Sequence, residues 1–302
     1  MRFERSGGAL GARVTGVDCA RPLGARDFGD IVWALGEYGV LCFPGQKLEP
    51  AALRDFSQRF GTIQTSVSGK FHHPVVREVG ILSNIVENGE PIGLADAGQD
   101  WHTDMSYRDT MGFLNVLNAH KVPRRDGRVL GATLFQDMHA AYEALAPALK
   151  GRLADAVAVH DFNKFWEEMR RRPGSRRAPL TPEQRATRPP ARHPVFLTHP
   201  ITGRKVLYCN PGYAEFIEGM ASGDSGAVLS ALFAHQLEPR FGYEHVWADG
   251  DLLVWDHIGT LHMAVPDYGP DEHRLMYRCQ VMADRVFERA FVDGALAARA
   301  AA

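Results

Sequence analysis

The sequence predicts one mainly β domain with flanking helices, and three observations support this prediction. Short apolar runs recur along the chain, as at 79–82 and 113–117, and polar or glycine-rich pieces separate them, as between strands. Helical spacing is confined to segments near the N-terminus and in the middle of the chain. No internal repeat or linker divides the 302 residues. A single domain, 1–302, is therefore expected.

The first elements predicted along the chain are a helix, a strand and a second helix. Between residues 26 and 39 the apolar side chains follow the i, i+3, i+4, i+7 spacing of one helix face: Phe28, Ile31, Val32 and Leu35. The apolar run 40–43 is followed by Pro-Gly, which indicates a buried strand closed by a turn. The second helix is predicted over 50–60.

Later elements follow from the same patterns. Helical spacing returns at 138–145, and another helix is predicted to begin with Asp224 as its cap and to bury Leu237 near its end. Apolar runs predict strands at four further places: 194–199, 204–209, 250–256 and 274–282.

One segment, 170–192, departs from this composition. It contains eight arginines and five prolines and almost no large apolar side chain. Such a composition favours an exposed, partly mobile loop or lid, because too little apolar surface is available for burial. The arginines could instead contact an anionic surface, but a solvated excursion is the simpler interpretation.

Composition and charge exclude several classes of function. With 34 Lys+Arg against 36 Asp+Glu, the formal net charge is −2, so the chain lacks the positive field of a nucleic-acid binder. No apolar stretch is long enough for a signal peptide core or a bilayer span. The four cysteines lie far apart without a CxxC pair, which is typical of a reduced, cytoplasmic protein.

The strongest local signal is the pair His102 and Asp104. In an extended chain, residues two apart point to the same face, so both side chains can reach one metal ion. A third ligand is available in His262, which follows an apolar strand-like run near the C-terminus. Two histidines and one carboxylate form the facial triad of non-heme Fe(II) oxygenases, which leaves coordination positions open.

An arginine twelve residues after His262 has a matching rationale. The planar guanidinium of Arg274 can hold a carboxylate with two parallel hydrogen bonds. The alternative interpretation is a structural salt bridge with Asp256 or Asp271. His257, five residues before His262, could orient a metal ligand from behind.

At this point the sequence resembles the TauD/TfdA family of Fe(II)- and 2-oxoglutarate-dependent dioxygenases. The resemblance covers nearly the whole chain, and its pieces occur in the order Gly39 to Gln46, Phe56 to Gly61, Trp101-His-Thr-Asp104, Tyr208 to Tyr213 and Trp255 to Arg278. It implies a double-stranded β-helix, or jelly-roll, core. It also implies Fe(II), 2-oxoglutarate and O2 as reactants, and a homo-oligomer, either a dimer or a tetramer.

The resemblance carries roles onto individual positions. His102, Asp104 and His262 match the iron ligands, while Arg274 and Thr133 match residues that bind the distal carboxylate of 2-oxoglutarate. Four positions match substrate contacts: Arg278, Met105, Phe162 and Tyr213. If Arg278 faces the substrate, that small molecule carries an anionic group such as a sulfonate, sulfate ester, carboxylate or phosphonate. The enzyme would hydroxylate an unactivated C–H bond of this molecule and convert 2-oxoglutarate to succinate.

Taurine itself is not the expected substrate. The family's taurine-binding histidine and tyrosine correspond to Ser66 and Gly69 here, and His72 and His73 are the only nearby substitutes. Two alternatives to the oxygenase also remain open from the residues alone. A zinc-dependent hydrolase could use the same His/Asp/His set, and a jelly-roll binding protein could have lost its chemistry.

Overall fold

The computed structural model describes residues 1–65, 70–172 and 177–301. The described residues form eight α-helices: α1 Ala25–Tyr38, α2 Pro50–Gln58, α3 Met138–Ala144, α4 Pro147–Arg152, α5 Phe162–Arg170, α6 Pro182–Ala186, α7 Ser222–Gln236 and α8 Arg289–Ala300. None of these helices is long and apolar enough to cross a lipid bilayer.

Apart from a 3₁₀ helix at Pro239–Phe241, strands make up the rest of the regular structure in the same residues. They are β1 Arg2–Arg5, β2 Ala12–Thr15, β3 Val40–Phe43, β4 Gly80–Ser83, β5 Val86–Glu87, β6 Glu90–Pro91, β7 Gly112–Lys121, β8 Arg124–Arg125, β9 Arg128–Val129, β10 Thr133–Asp137, β11 Val157–His160, β12 Ala191–Pro194, β13 Phe196–Thr198, β14 Lys205–Leu207, β15 Ala214–Ile217, β16 Gly242–His245, β17 Leu252–Asp256, β18 Thr260–Ala264 and β19 Leu275–Met282.

The largest sheet has seven strands in the order β1-β2-β3-β17-β7-β19-β4. All its pairs are antiparallel except the short parallel pair β2 and β3. In β17, Leu252 and Val254 pack in a core cluster with residues of α1 and α2. The alternate residues Leu253 and Trp255 belong to a second cluster on the opposite face. The strand is buried on both faces, which explains its unbroken apolar run.

A three-stranded sheet, β16-β10-β18, covers that opposite face. Phe135 of β10 packs edge-on against Trp255 of β17, with ring centroids 5.5 Å apart, and joins the two sheets through the second core cluster. Two facing antiparallel sheets of this kind form a jelly-roll core. The predicted fold class is confirmed.

The predicted elements occur close to their expected positions. The first helix ends at Tyr38 because Gly39 adopts φ = 67° and its N–H bonds back to the carbonyl of Leu35. The prediction for Asp224 is wrong. The α7 helix begins at Ser222, with Ala221 as its cap three residues before Asp224. Asp224 therefore lies in the first turn, where its charge complements the helix dipole.

The Arg/Pro-rich segment differs from the expected solvated loop in the part that the structure describes, 170–172 and 177–192. It contains helix α6, whose cap Thr181 forms a capping box with Gln184. Arg172 forms an ion pair with Asp100, so its charge is neutralised against the protein. Most described residues of the segment are nevertheless exposed, as the composition predicts. The composition did not predict the short helix or the carboxylate and aromatic partners of the arginines.

Candidate metal centre and substrate cavity

The two histidines of the predicted metal site lie directly opposite each other. The N–H of His102 donates to the carbonyl of His262 at 3.1 Å, and the N–H of His262 donates to the carbonyl of His102 at 2.9 Å. This isolated bridge joins the loop before β7 to strand β18. The two imidazole centroids are therefore only 4.2 Å apart.

A backbone carbonyl sets the tautomer of His102. Its Nδ1 lies 2.7 Å from the carbonyl oxygen of Asp100. Because a carbonyl only accepts, Nδ1 carries the hydrogen and Nε2 presents a lone pair. That Nε2 lies 3.3 Å from Oδ1 of Asp104. The arrangement orients the lone pair toward the carboxylate, as a shared metal ion requires.

Asp104 completes a compact ligand set. Its Oδ2 lies 3.8 Å from Nε2 of His262, and one ligand atom from each of the three residues lies within 4.8 Å of the other two. Burial alone would raise the pKa of Asp104. The neighbouring imidazoles, His102 first, outweigh that effect and hold the pKa well below its usual value. The carboxylate is therefore ionised at neutral pH.

The third ligand is kept neutral. Burial lowers the pKa of His262 well below its usual value, with His102 adding to the effect. Its Nδ1 is buried and has no hydrogen-bond partner among the described residues. One anionic carboxylate and neutral imidazole are the forms that a divalent first-row metal binds. The donor set therefore fits the family's Fe(II).

Two residues support Asp104 from behind, and sequence reasoning named only one of them. Nδ2 of Asn115 donates to Oδ2 of Asp104 at 3.0 Å. His257, fully buried, places Nε2 3.7 Å from the same oxygen, and burial lowers its pKa to about 4. Asn115 escaped notice although an amide inside the apolar run of β7 is a recognisable signal.

A narrow recess beside the ligands contains the predicted carboxylate-binding residues. Arg274 and Thr133 line it together with His102 and His262. Arg274 is only 6% exposed, and its Nε has no hydrogen-bond partner among the described residues. The salt bridge to Asp256 is absent, since that carboxylate instead accepts from His199 at 2.8 Å. The guanidinium lies 5.9 Å from the ring centroid of Tyr268. A buried guanidinium whose Nε has no hydrogen-bond partner among the described residues fits an anionic ligand in the recess.

A larger cavity of about 310 Å³ opens beside His102 and Asp104. All four residues predicted to contact substrate line it: Arg278, Met105, Phe162 and Tyr213. Sequence reasoning missed four aromatic residues of the lining, Phe71, Tyr107, Phe165 and Trp166. The wall is continuous, because Tyr107 stands with its ring centroid 4.9 Å from Phe162 and 4.8 Å from Tyr213.

Three cations line this cavity: Lys70, Arg177 and Arg278. Lys70 and Arg177 have partners, whereas the guanidinium of Arg278 forms no ion pair or hydrogen bond among the described residues. It also lines the recess, together with Arg274. Both arginines therefore line one recess. The register of β19 shifts between Leu275 and Met276, so Arg274 lies just before the regular part of the strand.

The positions that argued against taurine are only partly visible. Ser66 and Gly69 lie outside the described residues. His72 and His73 do not line the cavity within the part of the chain that is described. His73 instead uses Nδ1 to accept the backbone N–H of Val76 at 3.2 Å. Neither histidine replaces a substrate contact.

Comparison with known proteins identifies the family. The family described as "Taurine catabolism dioxygenase TauD, TfdA family" matches residues 2–280. The chain belongs to the TauD/TfdA family. As a TauD/TfdA enzyme it is an Fe(II)- and 2-oxoglutarate-dependent dioxygenase, an oxidoreductase that uses O2. Family membership decides against the zinc hydrolase and the non-catalytic binding protein.

Relatives and a solved structure cover the chain almost completely. Pentalenolactone F synthase of Streptomyces arenae is 34% identical over 276 residues, which are 89% of this chain and 91% of the relative. The (S)-phenoxypropionate/alpha-ketoglutarate-dioxygenase of Sphingobium herbicidovorans is 30% identical and covers 93% of this chain and 94% of its own. The crystal structure of AAD-2 with Mn(II) and N-oxalylglycine has a TM-score of 0.79 at 25% identity, covering 94% of this chain and 98% of that one.

These comparisons extend to the reaction. TauD/TfdA enzymes act on small molecules, and this dioxygenase couples the decarboxylation of 2-oxoglutarate to succinate with hydroxylation of a C–H bond in its substrate. The comparisons concern whole chains. The roles of individual residues therefore depend on the geometry described above.

Proposed function

We propose that His102, Asp104 and His262 hold the Fe(II). The support is the buried, compact ligand set, with one carboxylate ionised and the Nε2 lone pair of His102 directed at it. Bound Fe(II) supplies the activation of O2 that drives C–H hydroxylation. The protein's own contribution is to fix the three ligands before the metal arrives, through the bridge between His102 and His262 and the Asn115 hydrogen bond.

Arg274 and Thr133 bind the distal carboxylate of 2-oxoglutarate in this proposal. The observation that carries the whole proposal is the recess that joins His102 and His262 to a buried arginine whose Nε has no hydrogen-bond partner among the described residues. A carboxylate in the recess would accept from the guanidinium and from the Thr133 hydroxyl. Such contacts orient the cosubstrate relative to the metal ligands before the reaction.

The substrate, we infer, has an apolar body and one anionic group. The aromatic wall of Phe162, Tyr213 and their neighbours suits the apolar body, and Met105 adds a soft contact beside Asp104. Arg278 supplies the charge for the anionic group. One relative is named for (S)-phenoxypropionate, which combines both features. A carboxylate, sulfonate or sulfate ester on a ring or alkyl chain is the class that we expect.

The metal assignment is tested by Mn(II) titration followed by electron paramagnetic resonance. Replacing His262 with alanine should abolish tight Mn(II) binding. His235→Gln serves as the matched control, because His235 pairs with Glu238 and the carbonyl of Ala141 away from the ligands. Undiminished Mn(II) binding by the His262→Ala variant would remove this residue from the metal site.

The substrate assignment is tested by succinate release from a panel of acids and their neutral amides. Sulfonates, sulfate esters, aryloxyalkanoates, phosphonates and amino acids form the panel. The wild type should prefer the acid of each pair at least about tenfold, since a charge-assisted contact of this kind contributes 1.5–3 kcal/mol. Arg278→Met should abolish the preference, whereas Arg285→Met should retain it. An unchanged preference in Arg278→Met contradicts the role of Arg278.

Three broader expectations also stay proposals. We propose a single domain, supported by one core cluster that contains residues from Ala12 to Ala295. We propose a cytoplasmic location, supported by four buried cysteines that form no disulfide. The homo-oligomer implied by the family resemblance is a prediction that light scattering coupled to size-exclusion chromatography tests.

A further inference from the structure

Thr133 has a hydrogen-bond partner that sequence reasoning did not identify. Nε1 of Trp247 lies 3.1 Å from Oγ1 of Thr133 and donates to it. Both side chains are buried, with Trp247 only 1% exposed and Thr133 only 3%. No other hydrogen bond involves Oγ1 among the described residues. The contact places an indole directly behind one wall of the recess.

The direction of this hydrogen bond has a chemical consequence. An indole N–H can only donate, whereas a hydroxyl both donates and accepts. Thr133 must therefore act as the acceptor toward Trp247, and its own O–H proton is left to point elsewhere. Thr133 lines the recess with Arg274 and His262. A carboxylate only accepts hydrogen bonds. Because the Thr133 hydroxyl accepts from Trp247, its own proton is free to be donated to a carboxylate in the recess.

The fold holds Trp247 in place for this task. Strand β16 pairs with β10 so that His245 lies opposite Thr133, and Trp247 follows two residues later. The His245 ring stands edge-on to the indole, with centroids 4.7 Å apart at 87°. The carboxylate of Asp251 accepts the N–H of Ala248 at 2.9 Å and fastens the chain directly after the indole.

We propose that Trp247 is a positioning residue for 2-oxoglutarate, because its N–H holds the Thr133 hydroxyl as a donor to the distal carboxylate. This inference rests on the proposed roles of Thr133 and Arg274. It predicts an effect confined to ligands that carry the distal carboxylate. A merely structural indole would affect all 2-oxo acids alike.

The test compares 2-oxoglutarate with 2-oxopentanoate, which lacks the distal carboxylate, by anaerobic binding titration of the Fe(II) protein. Trp247→Phe removes the N–H and keeps an aromatic ring. It should weaken 2-oxoglutarate binding about fivefold, as loss of one net hydrogen bond does, and leave 2-oxopentanoate unchanged. In a Thr133→Val background the same substitution should have no further effect.

The opposite results overturn the inference. Equal weakening for both acids, no weakening for either, or full additivity with Thr133→Val each means that Trp247 does not act through Thr133. Arg274→Ala separates this failure from failure of the proposed function. If Arg274→Ala selectively weakens 2-oxoglutarate while Trp247→Phe does not, only the inference about Trp247 falls. If Arg274→Ala is also without selective effect, the recess does not bind the carboxylate.

A second measurement uses the wild-type protein, so it does not depend on folding of the Trp247→Phe variant. Protein labelled with 15N-tryptophan is loaded with Zn(II), and the indole resonance of Trp247 is assigned by replacing the other tryptophans in turn. Addition of 2-oxoglutarate should shift this resonance, and 2-oxopentanoate should not. A chemical shift of the Trp247 indole that does not change on addition of 2-oxoglutarate, or that changes equally with both acids, contradicts the proposal.

Discussion

His102 and His262 exchange a reciprocal pair of backbone hydrogen bonds, at 3.1 and 2.9 Å, although His102 lies in a loop and only His262 belongs to a strand, β18. Residues that share both bonds of an antiparallel pair are held at a fixed separation. The separation of the two imidazoles is therefore a property of the backbone, and side-chain rotation does not have to establish it. We expect the ligand set to be formed before metal binds.

Asn115 should tune metal affinity through Asp104. Asn115→Ala removes the donor to Oδ2 and leaves the carboxylate freer to turn. Loss of such a supporting partner typically weakens metal binding about 10–100-fold. Mn(II) titration checks this. The control is Asn118→Ala, from the same strand, whose amide binds the carbonyls of Gln46 and Asp251 instead. Comparable weakening in the control would argue that Asn115 acts only through general stability.

Gly98 should be required for its close approach to His102. It has φ = +71°, and a Cβ added there would lie 3.2 Å from Cε1 of His102. Gly98→Ala should therefore displace the imidazole and weaken Mn(II) binding. The matched control is Gly127→Ala, at φ = +82° with nothing within 4 Å of an added Cβ. Both variants should lose roughly 1 kcal/mol of stability from backbone strain, but only Gly98→Ala should lose metal affinity. Equal Mn(II) affinity in the two variants would refute this account.

Arg274 should distinguish cosubstrate binding from metal binding. Arg274→Ala removes both donors of a charge-assisted pair, so 2-oxoglutarate should bind about a hundredfold more weakly while Mn(II) binds as in the wild type. Arg274→Lys should recover only part of the loss, because an ammonium cannot bind a carboxylate bidentately. Calorimetric titration measures both ligands. A parallel loss of Mn(II) and 2-oxoglutarate binding would indicate that Arg274 supports the fold of the site rather than the cosubstrate.

Acid should destabilise the metal-free protein through buried histidines. Burial lowers the pKa of His160 to about 3, whereas the unfolded chain takes up this proton near 6.5. The contribution of the neutral, buried His160 to the free energy of unfolding is therefore complete above about pH 6.5. It is lost progressively as the pH falls toward 3, because the unfolded chain takes up the proton and the folded protein does not. Between pH 6.5 and 5 the loss from one such group is on the order of 2 kcal/mol.

His160→Phe tests this contribution. The ring can keep its contact with Tyr208, and Ser106 keeps its hydrogen bond from Asn210. Urea unfolding of the chelator-treated protein at several pH values should show a smaller decrease in the free energy of unfolding for the variant. An identical pH dependence in both proteins would show that His160 does not take up the proton on unfolding.

The sequence predicted those parts of the fold and site that depend on short-range pattern. The helix over 26–39 has one apolar face, and the His102 and Asp104 pair follows from the two-residue period of an extended chain. The pairing with His262 spans 160 residues. The apolar run before His262 made it a candidate ligand and the family resemblance supported that choice, but neither predicts the backbone bridge through which the two histidines meet.

Contacts between different secondary-structure elements could not be predicted from the sequence. Helix α5 carries apolar side chains at 162, 165, 166 and 169, which is regular helical spacing. The arginine-rich composition immediately after it obscured that signal. The apolar face of α5 lines the cavity together with Tyr107 and Tyr213. The apolar side chains of this helix therefore face the cavity and not a closed core. Likewise, the sequence alone predicts Trp247 as an ordinary core residue. Only the pairing register of β10 and β16 shows that it lies against Thr133.

The central claim is that one site binds Fe(II) through His102, Asp104 and His262 and 2-oxoglutarate through Arg274. An anaerobic optical titration with Fe(II) and then 2-oxoglutarate tests it most directly, by following the weak visible charge-transfer band of the chelate. We predict that the band forms in the wild type, does not form in His262→Ala, and forms in Arg274→Ala only at much higher 2-oxoglutarate concentration. A band that persists unchanged in His262→Ala, or no band in the wild type, would contradict the claim.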